Sequence, residues 1–379
     1  MKIALFYHSL ISDWNHGNAH FLRGVTTELL KQGHSVTVYE PAGAWSMRNL
    51  TETYGQAPVR EFHRRFPHLQ SISCDYDSLE LDAVLDGTDL VIIHEWNEAR
   101  FIDRIATHRQ QHGGYRLVFH DTHHRCAAGP KDTDKLGLQR FDGVLAFGQS
   151  LAEIYLRNGW NSHVWVWHEA ADTTIFRPIQ FERKEADLVW VGNWGDDERT
   201  AEIREYLIEP AESLSLATNV YGVRYPLSAI RTLRKAGIQY NGWIANFEVP
   251  RVFGRHKVTV HIPRKPYTRL LPGIPTIRPF EALACGIPLI TAPWEDTENL
   301  FTPGKDYLVA RNGKQMRTYL HDVINEPELA AQLAEHGRRT ILDRHTCAHR
   351  VKELLEICGE MGINTETEAA CMEMAHATQ

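Results

Sequence analysis

Residues 2–40 read KIALFYHSLISDWNHGNAHFLRGVTTELLKQGHSVTVYE, and the order of patterns in this stretch decides the fold. Lys2 to Tyr7 is a short apolar run, as a strand buried on both faces requires. A polar loop follows it. Phe21, Leu22, Val25, Leu29 and Leu30 then fall on one face of a helix. Gly33 stops that helix, and Ser35 to Tyr39 reads as a second strand. Strand, loop, helix, strand is the unit of a parallel sheet covered by helices.

The unit recurs. Leu90 to His94, Arg116 to His120, Gly143 to Phe147 and His163 to Trp167 read as further strands. The helix after 147 is expected to open on a capping box, Ser150 with Glu153, and to stop at Gly159. Residues 42–80 accommodate several assignments. Arg177-Pro178 ends this half, a polar stretch follows, and Asp187 to Val191 starts a new strand. Strands are then expected near 218–221, 238–240, 258–262, 288–290 and 307–310, with helical stretches at 313–336 and 346–361. The expected organisation is an α/β chain of two Rossmann-like domains. Residues 1–178 form the first and 179–345 the second, 346–362 is a helix crossing back to the first, and 363–379 is a mobile tail.

The length of 379 residues suits two cores, at ~150 residues per domain. A net charge of -7 argues against nucleic acid as a partner. The six cysteines contain no CxxC pair, no apolar run approaches a membrane span, and the first residues already form a strand rather than a signal peptide. These features lead us to expect a cytoplasmic protein whose membrane contact is peripheral at most.

Ligands of open parallel sheets bind beyond the carboxyl ends of the strands, so the loops there carry the candidate chemistry. Between Val249 and Phe280 there is no acidic residue, but there are seven cations: Arg251, Arg255, Lys257, Arg264, Lys265, Arg269 and Arg278. The chain averages one acid per eight residues, so the gap predicts a local positive site. Thr276 and Ile277 end an uncharged loop. Arg278 to Gly286 reads as a short helix, whose free N–H groups would form an anion site. Glu281, one turn in, could accept from two vicinal hydroxyls, or could simply complement the helix dipole.

The segment RPFEALACGIPLITAP at 278–293 resembles the donor-site signature of the GT-B glycosyltransferases, and within the group 1 superfamily it is most similar to the CgeB-like type. The likeness continues through Pro293-Trp294-Glu295 and Gly304 to Ala310. Asp172 to Pro178 is similar to the DxxxFxP that closes the first domain of that superfamily. The resemblance implies two parallel sheets facing across a cleft, and a nucleotide-diphosphate sugar, UDP-sugar by default, whose ribose is held by Glu281. Many retaining members carry a second Glu eight positions earlier; here that position is Gly273. Further donor-side candidates are Asn193, Trp194 and Arg199 after the 187–191 strand, Trp243 after the 238–240 strand, and Tyr267 and Arg269.

The first half offers polar strand ends but no GxGxxG. His94, Glu95, His120 and Asp121 are candidates for removing the acceptor's proton, because all four follow buried strands. The run His120, Asp121, His123, His124 also admits a metal site, hence a metal-dependent hydrolase as an alternative. A non-catalytic nucleotide-sugar binder is the other alternative, motivated by Gly273, and a GT-B epimerase is a further one. The expected function is transfer of a sugar from the nucleotide donor to a glycan, lipid-linked or small-molecule acceptor, with no cofactor and no metal.

Overall fold

A computed structural model of the chain describes residues 1–366. It divides into two units: Met1–His168 with the segment from Cys347 onward, and Glu169–Thr346. The division falls before the boundary at 178 read from the sequence. The cause is packing, because Ala171 and Phe176 are buried in the core of the second unit and Ala171 bridges to Thr346. Of the tail expected at 363–379, the part from 367 onward lies outside the described residues.

The first unit is built on seven parallel strands: β1 (Lys2–Phe6), β2 (Ser35–Pro41), β3 (Ser71–Cys74), β4 (Leu90–His94), β5 (Arg116–Asp121), β6 (Gly143–Ala146) and β7 (Val164–Val166). Their spatial order is β3-β2-β1-β4-β5-β6-β7. Every residue of β4 is buried, which explains its unbroken apolar run. β3 lies at the edge and within the stretch that sequence patterning left open. Its burial is partial, so no strong period marks it. The helix Asn18–Lys31 packs on the returning helix Cys347–Glu360. That helix is also tied down by the Trp167 indole N–H donating to Arg350 O at 2.8 Å, and by Arg116 Nε donating to Met361 O at 2.8 Å.

The second unit repeats the plan with β8 (Ala186–Val191), β9 (Thr218–Tyr221), β10 (Gln239–Tyr240), β11 (His256–His261), β12 (Leu289–Thr291) and β13 (Leu308–Val309), in the order β10-β9-β8-β11-β12-β13. Alternation along β8 sends Leu188 and Trp190 into one core and Val189 and Val191 into the other, so helices cover both faces.

Two local readings are corrected. The helix Gln149–Arg157 begins one residue before Ser150, on Gly148 and with no side-chain cap, so the capping box does not form. The stretch 313–336 is two helices, Gly313–Asn325 and Pro327–Arg344, because Pro327 cannot continue the first and instead opens the second.

In each sheet the chain reverses its direction of growth between the first and fourth strand, and both ends of that switch point carry loops. In the second unit two glycines bring these loops together. Gly222 has φ +154°, and a Cβ there would sit 2.1 Å from the carbonyl oxygen of Gly192. Gly222 N–H donates to Gly242 O at 2.7 Å and Gly192 N–H donates to Tyr221 O at 2.8 Å. Gly222→Ala therefore forces backbone to move. We expect a loss of about 2–3 kcal/mol, measured by chemical denaturation against the wild-type chain.

Candidate functional site

In the second unit the loops after β8 and β11 flank the switch point. Between them starts the helix Ile277–Ala284, and no side chain caps its start. The Arg278 guanidinium donates to the Glu281 carboxylate one turn on. Glu281 is fully buried (0 % exposed), whereas the Arg278 side chain retains 17 %. The carboxylate expected to face a ribose is thus covered by the cation expected to face a diphosphate.

Around this pair lies a group of cations. Arg199 donates to Ile262 O at 2.7 Å and to Asn193 O at 2.6 Å, and so braces the two loops instead of projecting freely. Burial, and then neighbouring Arg264, push its pKa down to about 10. Arg264 pairs with Glu198 at 3.3 Å. His261, at the end of β11, was not singled out in the sequence, because it closes an apolar strand. It is buried between Thr276 Oγ1 (3.4 Å) and Thr291 Oγ1 (3.3 Å). Burial foremost, then Arg199 and Arg278, push its pKa down to about 3. It is a neutral imidazole among guanidinium groups.

The other donor-side candidates divide. Trp194 is a core residue, edge-on to Tyr225 at 5.6 Å. Tyr267 and Ile277 are buried, Thr276 and Trp243 are half-buried, and Arg269 is exposed. Asn193 Oδ1 accepts from Val223 N at 3.1 Å and shapes the loop. The seven cations do not form one site. Arg251, Arg255 and Lys257 belong to the opposite edge, where they pair with Glu248, Glu185 and Asp187. Gly273 has φ +88°, and a Cβ there would lie 1.8 Å from Thr297 Oγ1, so no larger side chain fits this backbone.

In the first unit two amides of the loop after β1 are taken by a carboxylate: Leu10 N and Ile11 N donate to Glu40 Oε1 at 2.7 and 3.2 Å. Arg23 secures the loop from the other side through Leu10 O and Ile11 O.

The four proton-acceptor candidates lie deeper than expected. His94 and His120 are completely buried, and Tyr7 hydrogen-bonds His120 Nδ1 and stacks on His94 at 4.6 Å. Burial holds His94 well below its usual range and pushes His120 down to about 3. Both are neutral core side chains. Asp121 accepts from His123 N (2.9 Å) and Tyr155 OH (2.8 Å). Glu95 has only the Arg125 guanidinium, at 3.5 Å. Burial, and then Asp121, push the Glu95 carboxyl well up, and burial raises Asp121 as well, against its hydrogen bonds from His123 and Tyr155. His120, Asp121, His123 and His124 do not bring three ligand atoms together. Among the described residues only Asp82, His108 and His112 do.

Beside them is a cavity of about 330 Å³ at the ends of β1, β2 and β4. Trp45 and Trp96 line it with rings parallel to within 6° and centroids 6.5 Å apart. His8 lies within 6 Å of both rings, at 5.9 and 5.8 Å. Its Nε2 accepts from Ser46 N at 3.2 Å, which leaves Nδ1 as the donor. Burial, aided by Arg125, pushes its pKa down to about 4. Arg100, on the rim, is neutralised by Asp77 and Glu98, each at 2.8 Å. Trp45 and Tyr76 fall in the unread 42–80 stretch, which is why the cavity was not foreseen.

Residues 199–356 match the family model described as "Glycosyl transferase-like". No curated protein sequence matches the chain. Among solved structures the fold is similar to sucrose-phosphate synthase from Thermosynechococcus elongatus (12% identity, 95% of this chain and 99% of that chain, TM-score 0.69). It is similar to HepE of Anabaena in complex with UDP and glucose (13%, 95% and 100%, 0.65). It is also similar to an alpha-glucosyltransferase in complex with UDP-glucose and DNA containing an abasic site (14%, 95% and 99%, 0.68).

A pH dependence follows from the buried imidazoles. His8, His120 and His261 have folded pKa values of about 4, 3 and 3, below the ordinary 6.5. The unfolded chain therefore binds more protons, and stability rises with pH across that window. We expect full stability above about pH 6.5 and a progressive loss toward pH 4. Urea denaturation across that range checks this; a flat profile would contradict it.

The order of strands and the loops at both switch points give the α/β GT-B fold, and within it residues 199–356 are similar to the glycosyl transferase-like family.

Proposed function

We propose that the protein transfers a sugar from a UDP-sugar held by the second unit to a carbohydrate-like acceptor received by the first. The observation that carries this reading is the uncapped helix start at Ile277, with Arg278 and Glu281 stacked one turn apart and Arg199, Arg264 and His261 beside them. N–H groups and guanidinium suit a diphosphate. Arg278 holds the Glu281 carboxylate, and a diphosphate that draws the guanidinium toward itself makes Glu281 available to two ribose hydroxyls. The UDP bound in the HepE and alpha-glucosyltransferase complexes supports the choice of nucleotide.

On the acceptor side, the parallel indoles and the neutral His8 donor suit a polyhydroxylated ring. On the rim Arg100 is paired with Asp77 and Glu98, and Arg48, which donates to Gly43 O, also lines the cavity. Glu95, whose carboxyl burial pushes up and which adjoins Trp96 of the cavity wall, is the acid–base group best placed among the four candidates. His94 and His120 act by packing. The metal-dependent hydrolase reading has no converging ligand set in the His120–His124 run. The non-catalytic binder retains one supporting observation, the Gly273 backbone that excludes a second Glu. Release of free or transferred sugar from UDP-sugar by the purified chain separates enzyme from binder.

Charge-assisted hydrogen bonds of roughly 1.5–3 kcal/mol each are at stake at Glu281. Glu281→Gln is expected to weaken UDP binding at least about tenfold by calorimetry, with the fold checked in parallel. Arg278→Ala should weaken UDP far more than uridine. Equal losses for both, or no loss in Glu281→Gln, would refute the donor site.

Trp45→Ala is expected to raise the acceptor KM by roughly five- to thirtyfold, equivalent to about 1–2 kcal/mol, with the donor KM unchanged. A change confined to the donor KM would place the acceptor elsewhere.

A further inference from the structure

The helix Ala99–His112 ends at the edge of the first sheet opposite the cavity, just before β5 begins. His108 and His112 are four residues apart and so share one face of it, with ring centroids 4.4 Å apart. Asp82, from the short helix Leu81–Leu85, reaches the same face. Its Oδ1 lies 3.0 Å from His108 Nε2 and 3.5 Å from His112 Nε2. The three ligand atoms are all within 4.8 Å of one another.

Two details separate this group from a chance surface cluster. First, the outer nitrogen of each imidazole is engaged: His112 Nδ1 donates to the His108 carbonyl at 3.3 Å, and His108 Nδ1 bonds Tyr115 OH at 2.9 Å. His112 therefore presents the Nε2 lone pair toward Asp82, and His108 Nε2, which bonds Asp82 Oδ1 at 3.0 Å, does the same when Tyr115 OH accepts from its Nδ1. An outer hydrogen bond of this kind is what orients metal-ligating histidines. Second, the group sits at a helix carboxyl end, where the partial negative charge favours a cation.

We propose that Asp82, His108 and His112 bind a late first-row divalent cation, with Zn²⁺ as the reference ion. Metal–ligand bonds of about 2.0–2.2 Å in a tetrahedron separate ligands by about 3.3–3.6 Å, so the present spacing needs only small side-chain adjustments. Two imidazoles and one carboxylate suit Zn²⁺ or Co²⁺ better than Mg²⁺ or Ca²⁺, which prefer all-oxygen sites. Water would complete the shell, since Asp82 and His112 are exposed. The ion would clip the Leu81–Leu85 segment to the helix. It would leave sugar transfer untouched, because the site lies at the other edge of the sheet and is independent of the function proposed above.

The test is titration of the chelator-treated full chain with Zn²⁺ by calorimetry and with Co²⁺ by visible d–d absorption. One tight site per chain is expected. His112→Ala changes an exposed side chain and should weaken that site at least about tenfold and abolish the Co²⁺ bands; Asp82→Asn should weaken it as well. His63→Ala, an exposed histidine elsewhere on the same unit, should leave it unchanged. Undiminished binding in His112→Ala, or no binding by the wild-type chain, would overturn the proposal.

Discussion

The ion pair between Arg278 and Glu281 is the constraint around which the second unit's ligand edge is organised. A carboxylate with no exposed surface is costly in a protein interior and persists only when paired and hydrogen-bonded. The helix Ile277–Ala284 supplies the geometry, because residues three apart lie on one face. The pair's worth to stability is modest, since desolvation offsets most of the attraction. Its consequence is positional: the guanidinium is held at the helix start, where free N–H groups already favour negative charge.

That placement explains the neighbours. Arg199 can lie close to Arg264 and Arg278 only because its own donors are spent on the Asn193 and Ile262 carbonyls and Arg264 has Glu198. His261 stays neutral for the same reason, since a further positive charge among these groups would be repelled. The cations are thus held together by their own carbonyl and carboxylate partners. The same principle acts in the first unit. There Arg23 also braces the loop after the first strand, and Glu40 satisfies two of its amides internally.

The strands were legible in the sequence wherever both faces are buried, as in Leu90–His94, because burial leaves an unbroken apolar run. The edge strand Ser71–Cys74 was not, since partial burial erases the signal. Glu281 and Arg278 could be read as neighbours on a helix, but not their mutual engagement, which depends on rotamers. The positive run 249–280 does not form one site, because a strand separates its ends: Lys257 lies near the start of β11 and pairs with Asp187, whereas Arg264 follows its far end. His94 and His120 looked catalytic by position after strands. Yet they are the last core residues of those strands, and Tyr7 and Trp167 close over them.

Burial also bears on which groups of the first unit can exchange protons. A histidine whose pKa lies near 3 has neither charge to offer nor proton affinity near neutral pH. His120 cannot be a useful base even if a substrate reached it, and in His94 the same direction of shift has the same effect. A carboxyl raised by burial is a different case, since its shift carries it toward neutrality rather than away from it. Burial foremost, and then Asp121, raise Glu95; burial raises Asp121 too, but the donors His123 N and Tyr155 OH oppose that rise, and among the described residues Glu95 has no such donors. Arg125, lying 3.4 Å over the face of Trp96, is a cation that acts on both acids. Any ligand in the cavity that shifts Trp96 would move that guanidinium, and with it the proton balance of the pair.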